Sequence, residues 1–330
     1  MVAETLRGRL PPPETMRVIG ASEVHAALDW EQLIEALRQM FRNGCTVPVR
    51  HHHTIPVGGG EPDATLLLMP AWQTGKHIGV KLATVFPSNG EKSLPAVMGT
   101  YLLLDGKTGS PIAMIDGPAL TLRRTAAASA LAASYLARPD AERLLLVGTG
   151  ALIPHLLAAH AAVRPIHNVL VWGRDADKAA RLAHRLDRRD LRVTSTTDLA
   201  GAVRGAHIIS CATLSKEPLI LGEWLPKGVH LDLVGGFTPA MREADDTCFA
   251  GADVWIDTDE ALVKAGDLLH PIASGALRRE DVRGTLADLA ATRSLARDPS
   301  ARTVFKSVGT ALEDLAAAIL VYETRQSALA

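Results

Sequence analysis

From residue 143 onward, short apolar runs alternate with segments of helical spacing, and this alternation constrains the fold more than any other feature. The apolar runs are LLLV, VLVW, HIIS, HLDLV and VWI. Between them lie segments such as DADKAARLAHRLDR, in which apolar residues recur at helical spacing. Strands that alternate with helices form parallel sheets, because each crossover helix packs on a face of the sheet. The sequence therefore predicts an α/β fold with a doubly wound, parallel Rossmann sheet.

The segment before this alternation has a different pattern. Between residues 47 and 115, runs such as HIGVKLATVFP and AVMGTYLLLD are separated by turn sequences such as PSNGEKS and DGKTGSP. This pattern predicts an antiparallel sheet of several strands. We expect one helix before it, over SEVHAALDWEQLIEALRQMFRNG and ending at Gly44, and a long alanine-rich helix after it. The final TVFKSVGTALEDLAAAILVYETRQ is predicted to be a loop followed by a helix.

Composition and charge exclude several classes of partner. The chain of 330 residues is 47% hydrophobic with a formal net charge of -1, so it lacks the basic surface that general nucleic-acid or anionic-membrane binding requires. It also lacks an apolar run of the roughly 18 residues that a membrane span needs. The cysteines Cys45, Cys211 and Cys248 are far apart, which favours a reducing cytoplasm over a disulfide framework. Residues 1–16 lack the apolar segment of a signal peptide, and we expect them to form a mobile tail.

A glycine turn follows the first strand of the alternating region. In RLLLVGTGALIP, two glycines stand between an apolar strand and an apolar helix start. Glycines permit a tight turn, and amides at a helix N-terminus bind a pyrophosphate. The third fingerprint position is Ile153 instead of Gly or Ala, so the motif alone agrees equally with an ordinary strand–turn–helix. The predicted cofactor contacts in this turn are Gly148, Thr149, Gly150, Ala151 and Leu152.

The residues after the next strand predict which dinucleotide binds. In NAD-binding Rossmann domains, an acidic residue about 20 residues beyond the glycine turn accepts a hydrogen bond from the ribose 2′-hydroxyl. Here Gly173 is followed by Arg174 and Asp175, which are both predicted cofactor contacts. A small residue followed by arginine suits a 2′-phosphate, so the sequence favours NADPH, with NADH as the other option. The alternative is that Arg174 is only a solvated surface arginine.

Five ordered motifs resemble those of the ornithine cyclodeaminase/mu-crystallin family. They are VPVRHH, VKLATVFPSN, LTLRRTAAASALAASYLA, EPLILGEWLPKGVHLDLVG and RTVFKSVGTALED. The resemblance runs from about residue 17 to the end of the chain. It implies a substrate-binding and dimerisation domain of residues 17–121 plus 306–330, an inserted Rossmann domain of residues 122–305, and a homodimer joined through the sheets of the first domain. Members of this family transfer hydride to or from a carbon beside a carboxylate, in imines of amino acids.

The resemblance places three cationic residues at the substrate. Arg50 and Lys81 match the family's ligands of the substrate carboxylate, and Arg124 matches the arginine where cofactor and substrate meet. A guanidinium can hold a carboxylate with two hydrogen bonds, and Lys81 lies in an apolar strand where an unpartnered ammonium is costly. Lys81 and Arg50 are the predicted catalytic residues, and Lys81 can donate a proton to the imine nitrogen. The alternative is that both arginines are exposed and Lys81 extends from an edge strand.

Further contacts are implied by the same motifs. The residues that match cofactor-contacting segments are Ala212, Thr213, Val234, Gly235, Gly236 and Ser307. Residues 306–309 match the segment that closes over nicotinamide and substrate, so Val308 is expected to touch the substrate. Lys306 has the alternative of pairing at the surface. Glu313 and Asp314 are expected to pair with basic neighbours instead of performing acid–base catalysis.

Two other features invite site hypotheses that the sequence does not favour. His51, His52 and His53 are consecutive, and in an extended chain their side chains point to alternating faces, so they cannot converge on one ion. We therefore predict no metal site. Cys211 lacks a nearby histidine that could activate it and is predicted to be a small buried thiol.

Phe237 is the position at which the chain departs from the cyclodeaminase pattern. In cyclodeaminases the glycine pair after this strand is followed by an aspartate, which positions the side-chain amine of ornithine for ring closure. Here Phe237 stands at that position, and Met241 replaces a basic residue. A phenyl ring cannot orient an ammonium as a carboxylate does, but it can pack against the methylenes of a closed ring. The substrate pocket is therefore expected to include Phe237 and to accept a cyclic imine.

The resulting prediction is a reductase of cyclic ketimine carboxylates that uses NADPH or NADH. The expected reaction is 1-pyrroline-2-carboxylate to L-proline, with 1-piperideine-2-carboxylate to L-pipecolate as a second reaction. Three alternatives remain open: an ornithine cyclodeaminase, an alanine dehydrogenase-like enzyme, and a mu-crystallin-like protein that binds NADPH and a ligand. The intact Lys81 and Arg50 count against the last alternative, since a pure binding protein needs no carboxylate clamp.

Overall fold

The computed structural model describes residues 16–292, 295 and 298–327. All but the last residue of the predicted tail, residues 1–16, lies outside this part of the chain. The described residues form one sheet of six strands and another of eight, with helices packed on their faces. Within this part of the chain, every helix is too short or too polar to cross a bilayer.

The six-stranded sheet confirms the antiparallel sheet predicted between residues 47 and 115. Its strands are β1 (Arg17–Ile19), β2 (His51–Ile55), β3 (Ala64–Gln73), β4 (His77–Val85), β5 (Val97–Asp105) and β6 (Pro111–Asp116). The spatial order is β1-β6-β5-β4-β3-β2, and all neighbours are antiparallel except β1 and β6, which pair in parallel. Because β4 lies between β3 and β5, Lys81 is on an interior strand, which excludes its placement on an edge strand.

The single helix predicted up to Gly44 is two helices, α1 (Ala21–Ala27) and α2 (Trp30–Asn43). The break lies at Asp29, whose carboxylate accepts hydrogen bonds from two amides of the first turn of α2, at 3.1 and 3.2 Å. Such a cap starts a new helix because the first-turn amides have no partner within the helix itself. Gly44, with a φ of 73°, ends α2 as predicted.

The eight-stranded sheet is parallel throughout, which confirms the doubly wound sheet. Its strands are β7 (Arg143–Val147), β8 (Asn168–Trp172), β9 (Arg192–Ser195), β10 (Ile208–Cys211), β11 (His230–Leu233), β12 (Asp253–Ile256), β13 (Val282–Thr285) and β14 (Thr303–Lys306). The spatial order is β13-β12-β14-β11-β10-β7-β8-β9. Since β7 has β8 on one side and β10 on the other, the direction of winding reverses there, and ligands bind at such a switch point.

Helices cover the faces of both sheets. They are α3 (Gly117–Leu136), α4 (Ile153–Val163), α5 (Ala176–Leu186), α6 (Leu199–Gly205), α7 (Ala261–Lys264), α8 (Gly266–Ser274), α9 (Leu286–Ala291) and α10 (Ala311–Ser327). The alanine-rich α3 is largely buried and packs against α2, α4 and α10, because small side chains allow close approach of helices. One continuous hydrophobic core includes both the first sheet and one face of the parallel sheet. The expected domain border at residues 121 and 122 falls inside α3.

The final segment differs from the prediction of a loop. TVFK forms β14, which lies between β11 and β12, and all four of its residues are buried. A run of four residues is too short for its pattern to distinguish a buried strand from a loop. The chain then forms α10, which leaves the parallel sheet and packs against α2, α3 and β4. The end of the chain thus brings residues of the second sheet next to Lys81.

Candidate active site

A cleft of about 340 Å³ opens at the carboxyl ends of β7, β8 and β10. Its lining includes seven of the predicted cofactor contacts, from three loops that are far apart in the sequence. They are Gly148, Thr149, Gly150, Arg174, Asp175, Ala212 and Thr213. Ala151 and Leu152 complete the same glycine turn, and Leu152 is the residue that precedes the first turn of α4. The N-terminus of α4 therefore stands at the cleft, where a phosphate is favoured.

Small residues are required at two points of this cleft. Gly148 has a φ of 131°, and a Cβ added there would lie 2.6 Å from the carbonyl oxygen of Ala212. A Cβ on Gly173 would lie 2.6 Å from the side chain of Thr149. Larger residues would clash with these neighbours, so the glycines keep the backbone of the loops close together. Such a glycine-lined cradle, with its helix N-terminus, fits the pyrophosphate and ribose of a dinucleotide.

The selector region carries two cations. Asp175 accepts a hydrogen bond from the backbone amide of Lys178 at 2.9 Å, and this bond is the main cause of the lowered pKa of its carboxyl group. Asp175 thus caps α5, while Arg174 has an exposed side chain at the cleft. Lys178 also lines the cleft, and its ammonium is 3.7 Å from the carboxylate of Asp175. Sequence reasoning missed Lys178, although a lysine three residues after Asp175, at the start of a predicted helix, was a signal.

A buried cluster of charges joins β4, α3 and α10. The ammonium of Lys81 lies 3.2 Å from Asp314 Oδ1 and donates to the hydroxyl of Thr121 at 2.5 Å. Arg124 donates from Nε to the same Asp314 oxygen at 3.0 Å and from Nη1 to Glu313 at 2.6 Å. The four charged residues are at most 7% exposed. The expected pairing of Glu313 and Asp314 with basic neighbours is thus present.

Burial and pairing set the protonation of this cluster. Burial lowers the pKa of Lys81, and Asp314 opposes that shift. Burial also acts against the charge of Arg124, but its two carboxylate partners hold its pKa above the ordinary value. Burial raises the pKa of Glu313 to about 7. For Asp314, Arg124 and Lys81 outweigh burial and keep its pKa below the ordinary value, so this carboxylate stays ionised between two cations.

Arg50, the residue immediately before β2, reaches the same cluster. Its Nη2 donates to Glu260 Oε2 at 3.0 Å and to the carbonyl oxygen of Gly309 at 3.1 Å. A Cβ added at Gly309 would lie 2.5 Å from Nη1 of Arg124, and the φ of Gly309 is 77°. Gly309 therefore lies between the two guanidinium groups, and the structure brings Arg50, Lys81 and Arg124 into one continuous cluster. Sequence reasoning did not anticipate that Glu260 pairs with Arg50.

A buried carboxylate fixes the loop that follows β14. Asp257 accepts hydrogen bonds from the backbone amides of Val308, at 2.7 Å, and Gly309, at 2.6 Å. Burial raises the pKa of Asp257, although these amide bonds oppose the shift. Ser307 is buried in the same loop, and its amide donates to the carbonyl of Leu233 at 3.2 Å. Ser307 and Val308 thus lie between the parallel sheet and the Gly309 carbonyl that binds Arg50. Asp257, which holds this loop, was not among the residues selected from the sequence.

Lys306 does not pair at the surface, and that alternative is wrong. Its side chain is fully buried. The ammonium donates to the carbonyl oxygen of Leu233 at 3.0 Å and lies 3.2 Å from the carboxylate of Asp267. A charged lysine is stable in such surroundings only because a carboxylate and a carbonyl compensate it.

Phe237 lies on the loop after β11, behind the glycine pair. Val234 and Gly235 are partly exposed at the carboxyl end of the strand, whereas Gly236 is buried. A Cβ on Gly236 would lie 2.3 Å from the carboxylate of Asp267. Phe237 as a whole residue is 49% exposed, so about half of its surface is available to solvent or a ligand.

The remaining candidates lie outside the charged cluster. Cys211 is fully buried, and burial raises the pKa of its thiol well above the ordinary range, as expected for an inert thiol. The histidines at 51–53 are exposed on β2. Among the described residues, the His, Cys, Asp and Glu side chains form no group of three or more that could hold a metal ion.

The parallel sheet with its switch-point cleft, joined to an α+β layer that supplies buried cations, defines a Rossmann-type dehydrogenase fold. The chain belongs to the ornithine cyclodeaminase/mu-crystallin family, whose model matches residues 15–328.

Relatives of known name support this placement. The chain is 39% identical over 313 residues to a delta(1)-pyrroline-2-carboxylate reductase of Colwellia psychrerythraea, covering 93% of this chain and 99% of that protein. Among solved structures it is similar to the Thermococcus litoralis delta(1)-pyrroline-2-carboxylate reductase in complex with NADH and L-proline, with a TM-score of 0.86, 28% identity and coverage of 94% and 98%. An archaeal alanine dehydrogenase dimer with bound NAD has a TM-score of 0.85 at 25% identity, with coverage of 96% and 97%.

Proposed function

We propose that this protein reduces 1-pyrroline-2-carboxylate to L-proline, and 1-piperideine-2-carboxylate to L-pipecolate, with a reduced nicotinamide dinucleotide. The observation that carries the proposal is the cluster in which Asp314 pairs with both Lys81 and Arg124, and Gly309 lies between Arg124 and Arg50. The relatives that are named reductases of this imine, and the neighbour that holds NADH and L-proline, support it. We assign residues 17–121 and 306–330 to a substrate-binding and dimerisation domain and residues 122–305 to a dinucleotide-binding domain, from which Arg124 and Phe237 also reach the substrate.

The carboxylate of the substrate has a ready partner in Arg50. Its guanidinium already binds one carboxylate, that of Glu260, whose side chain is 40% exposed. Exposed ion pairs contribute only about 0–1 kcal/mol, so an incoming carboxylate can replace Glu260. Val308 and Phe237 would then lie against the methylenes of the ring. The fork of a guanidinium holds a carboxylate in one orientation and so fixes the carbon next to it.

The proton comes from Lys81. A lysine ammonium has three protons, and Thr121 and Asp314 accept two of them, so one remains for a ligand. Burial lowers the pKa of Lys81 and makes it a better donor than an exposed lysine. The hydride for the imine carbon would come from a reduced nicotinamide bound in the cleft. As the C=N bond becomes C–N, its electron pair passes to nitrogen, which takes the proton from Lys81.

We propose NADPH as the favoured cofactor, with NADH as the second. The exposed guanidinium of Arg174 and the ammonium of Lys178 both line the cleft where the adenosine ribose would lie. Asp175 is occupied with capping α5 and is a poor acceptor for a ribose hydroxyl. Two cations, beside a carboxylate that already caps a helix, favour binding of a 2′-phosphate. The two neighbouring structures hold NADH and NAD, so the second cofactor stays in the proposal.

We further propose a homodimer that forms through the outer face of the six-stranded sheet. Leu82 on β4 and Met98 on β5 are exposed there, at 39% and 38%, and exposed apolar patches on a sheet mark interaction sites. The dimeric alanine dehydrogenase neighbour supports this proposal. Cys45, Cys211 and Cys248 are free thiols, which agrees with the reducing cytoplasm as the compartment.

One set of parallel assays tests the reaction. The purified protein is mixed with NADPH or NADH and offered 1-pyrroline-2-carboxylate, pyruvate plus ammonia, or ornithine, and loss of the reduced nicotinamide is followed by absorbance. We expect rapid loss with the cyclic imine alone. Loss with pyruvate and ammonia instead would identify an alanine dehydrogenase, and ammonia release from ornithine without net cofactor change would identify a cyclodeaminase. Binding of NADPH without turnover of any of the three would leave a binding protein.

A further inference from the structure

A second buried group of charges lies behind the cleft and takes no part in the reaction proposed above. It consists of Glu243, Asp267 and Lys306, all 0% exposed. Glu243 belongs to the loop that follows β11, Asp267 to α8 and Lys306 to β14. Burying three charges is costly, and such groups persist in proteins when they fix something of use.

The carboxylate of Glu243 binds two different loops. Its Oε1 accepts hydrogen bonds from the backbone amide of Thr213, at 2.6 Å, and from the Thr213 hydroxyl, at 2.8 Å. Its Oε2 accepts from the backbone amide of Gly235 at 2.7 Å. Thr213 follows β10 and Gly235 follows β11, so this one side chain joins the ends of two neighbouring strands on one side of the switch point.

The contact is close enough to exclude a side chain between the loops. A Cβ added at Gly235 would lie 2.0 Å from the carbonyl oxygen of Thr213 and 2.5 Å from Glu243 Oε1. Glycine at 235 therefore matches the clamp formed by Glu243. The family motif attributes Gly235 to cofactor binding alone. Its close contact with Glu243 is a second reason for a glycine at this position.

Asp267 and Lys306 hold Glu243 in place. Asp267 Oδ1 accepts hydrogen bonds from the backbone amides of Glu243, at 2.6 Å, and Ala244, at 3.1 Å. Lys306 lies 3.2 Å from the other oxygen of Asp267 and donates to the carbonyl of Leu233. The clamp is thus supported from α8, β14 and β11, and none of these supports depends on a ligand.

We propose that Glu243 is a positioning residue for the dinucleotide: its ionised carboxylate holds the Thr213 and Gly235 loops together and so sets the shape of the cofactor cleft. Thr213 lines that cleft directly. The inference rests on the proposed function only in that the cleft receives a nicotinamide dinucleotide. It does not depend on which imine is reduced.

The clamp requires the ionised form, because both oxygens act as acceptors. Burial raises the pKa of Glu243 to about 7; Asp267 reinforces this shift, and Lys306 and Thr213 oppose it. The charged and titratable groups that face it are Lys306, Asp267 and the buried thiol of Cys211. Protonation turns one acceptor oxygen into a donor, so one loop loses its bond. Cofactor binding should therefore weaken as pH falls through about 7.

The test compares NADH binding by the wild-type protein and the Glu243→Gln variant, measured by nicotinamide fluorescence. NADH is the probe because it lacks the 2′-phosphate, whose own ionisation falls near pH 6. Glutamine keeps the shape but presents an NH2 group to one loop amide. We expect the Kd of the variant to be about tenfold higher at pH about 8, and the two proteins to converge at pH about 6, where the wild-type side chain is neutral too. Glu223→Gln makes the same change at an exposed position and should match the wild type.

The pH dependence separates positioning from simple support of the fold. Glu313 titrates in the same range, so the decisive quantity is the difference between the two profiles. Identical Kd values and identical profiles in wild type and Glu243→Gln would overturn the inference while the reductase proposal stood. A wild-type protein that binds neither NADH nor NADPH would overturn both. If Glu243→Gln does not fold, Glu243→Asp replaces it, because its shorter carboxylate cannot reach both loops, and unchanged NADH binding there would contradict the clamp.

Discussion

Lys81 keeps its ammonium on an interior strand, where an unpaired charge would be expensive. The protein compensates it with Asp314, which also binds Arg124, so one carboxylate serves two cations. Removing one partner of a buried ion pair is normally destabilising, because the other charge is left alone. Here the loss of Lys81 would leave Asp314 paired with Arg124, so Lys81 can be replaced without leaving an unpaired buried charge.

Replacing Lys81 with methionine therefore separates catalysis from stability. We expect Lys81→Met to lower kcat for the cyclic imine by about 10²-fold, the usual size of a lost proton donor. The thermal midpoint should change little, since the methionine fills a similar volume and Asp314 retains Arg124. Steady-state kinetics and thermal unfolding check this, with the exposed Lys76→Met as the control. Unchanged kcat in Lys81→Met would exclude Lys81 as the donor.

Arg174 determines the preference between the two dinucleotides if it binds the 2′-phosphate. We expect Arg174→Ala to raise the Kd of NADPH by about 10-fold and to leave the Kd of NADH unchanged, because a bond to a charged group is worth about 1.5–3 kcal/mol. Titration of each cofactor with the purified variant measures both values. Arg181→Ala, which removes an exposed arginine from the nearby helix α5, is the matched control. An equal loss for NADH would argue against a phosphate contact.

Residues expected to contact a ligand with their own side chains were predictable from motifs. Carboxylates that accept hydrogen bonds from the backbone amides of distant loops were not. Lys81 stands out in sequence because a cation in an apolar strand needs a reason, whereas Arg50 and Arg124 were identified through their resemblance to the family motifs. Asp257 and Glu243 lie in unremarkable polar loops, and their role depends on which amides the fold brings to them. That information lies in three-dimensional packing, and local spacing does not contain it.

At the scale of elements, periodicity correctly gave both sheets but not where the chain changes direction. The break between α1 and α2 depends on the capping bonds of Asp29, while the apolar periodicity continues across it. The break places His25 of α1 against His155 of α4, with ring centroids 5.3 Å apart, and Trp30 of α2 at the edge of His155. Arg123, on the turn that carries Arg124, lies over the ring of Trp30 at 3.8 Å. The N-terminal helices thus meet α4, the helix that follows the glycine turn, in an aromatic contact.

This contact predicts a sensitivity to acid. Burial lowers the pKa of His155 to about 4, with His25 and Arg123 adding to the shift. A histidine with a lowered folded pKa is neutral in the fold, so stability is complete above its unfolded pKa of 6.5 and falls as pH drops toward about 4. The free energy of unfolding of the wild-type protein should fall between pH about 7 and about 5. Because His155 is partly exposed, we expect this fall to be smaller in His155→Phe by about 1 kcal/mol. Denaturant unfolding at both pH values measures it.

The control for this measurement is His184→Phe, which removes an exposed histidine from α5. Its pH dependence should equal that of the wild type. If the pH dependence of the free energy of unfolding is the same in His155→Phe as in the wild type, the aromatic contact takes no part in acid sensitivity.

At the scale of the whole molecule, the outer face of the six-stranded sheet carries exposed apolar side chains, including Leu82. Lys81 points inward from β4 while the adjacent Leu82 points outward, because successive side chains of a strand alternate between faces. The charged cluster and the proposed dimer surface therefore lie on opposite faces of one strand. A change in either face can affect the other only through the backbone of β4.

We expect Leu82→Asp to convert the dimer to a monomer, because a carboxylate at an apolar interface loses its hydration without gaining a partner. Light scattering coupled to size-exclusion chromatography measures the mass. Lys107→Asp, in the exposed turn between β5 and β6, is the control and should leave the dimer intact. A wild-type protein that elutes at the mass of one chain would contradict the dimer itself.

The position of β14 has a consequence for how the chain is made. Its four residues fill the gap between β11 and β12, yet they lie near the end of the sequence, after every other strand. On the ribosome, β11 and β12 emerge with apolar side chains and unpaired edges, and they cannot be joined until residues 303–306 leave the exit tunnel. Unpaired strand edges in partly folded chains promote aggregation. The parallel sheet can therefore close only after residues 303–306, its last strand in the sequence, have been made and have left the tunnel.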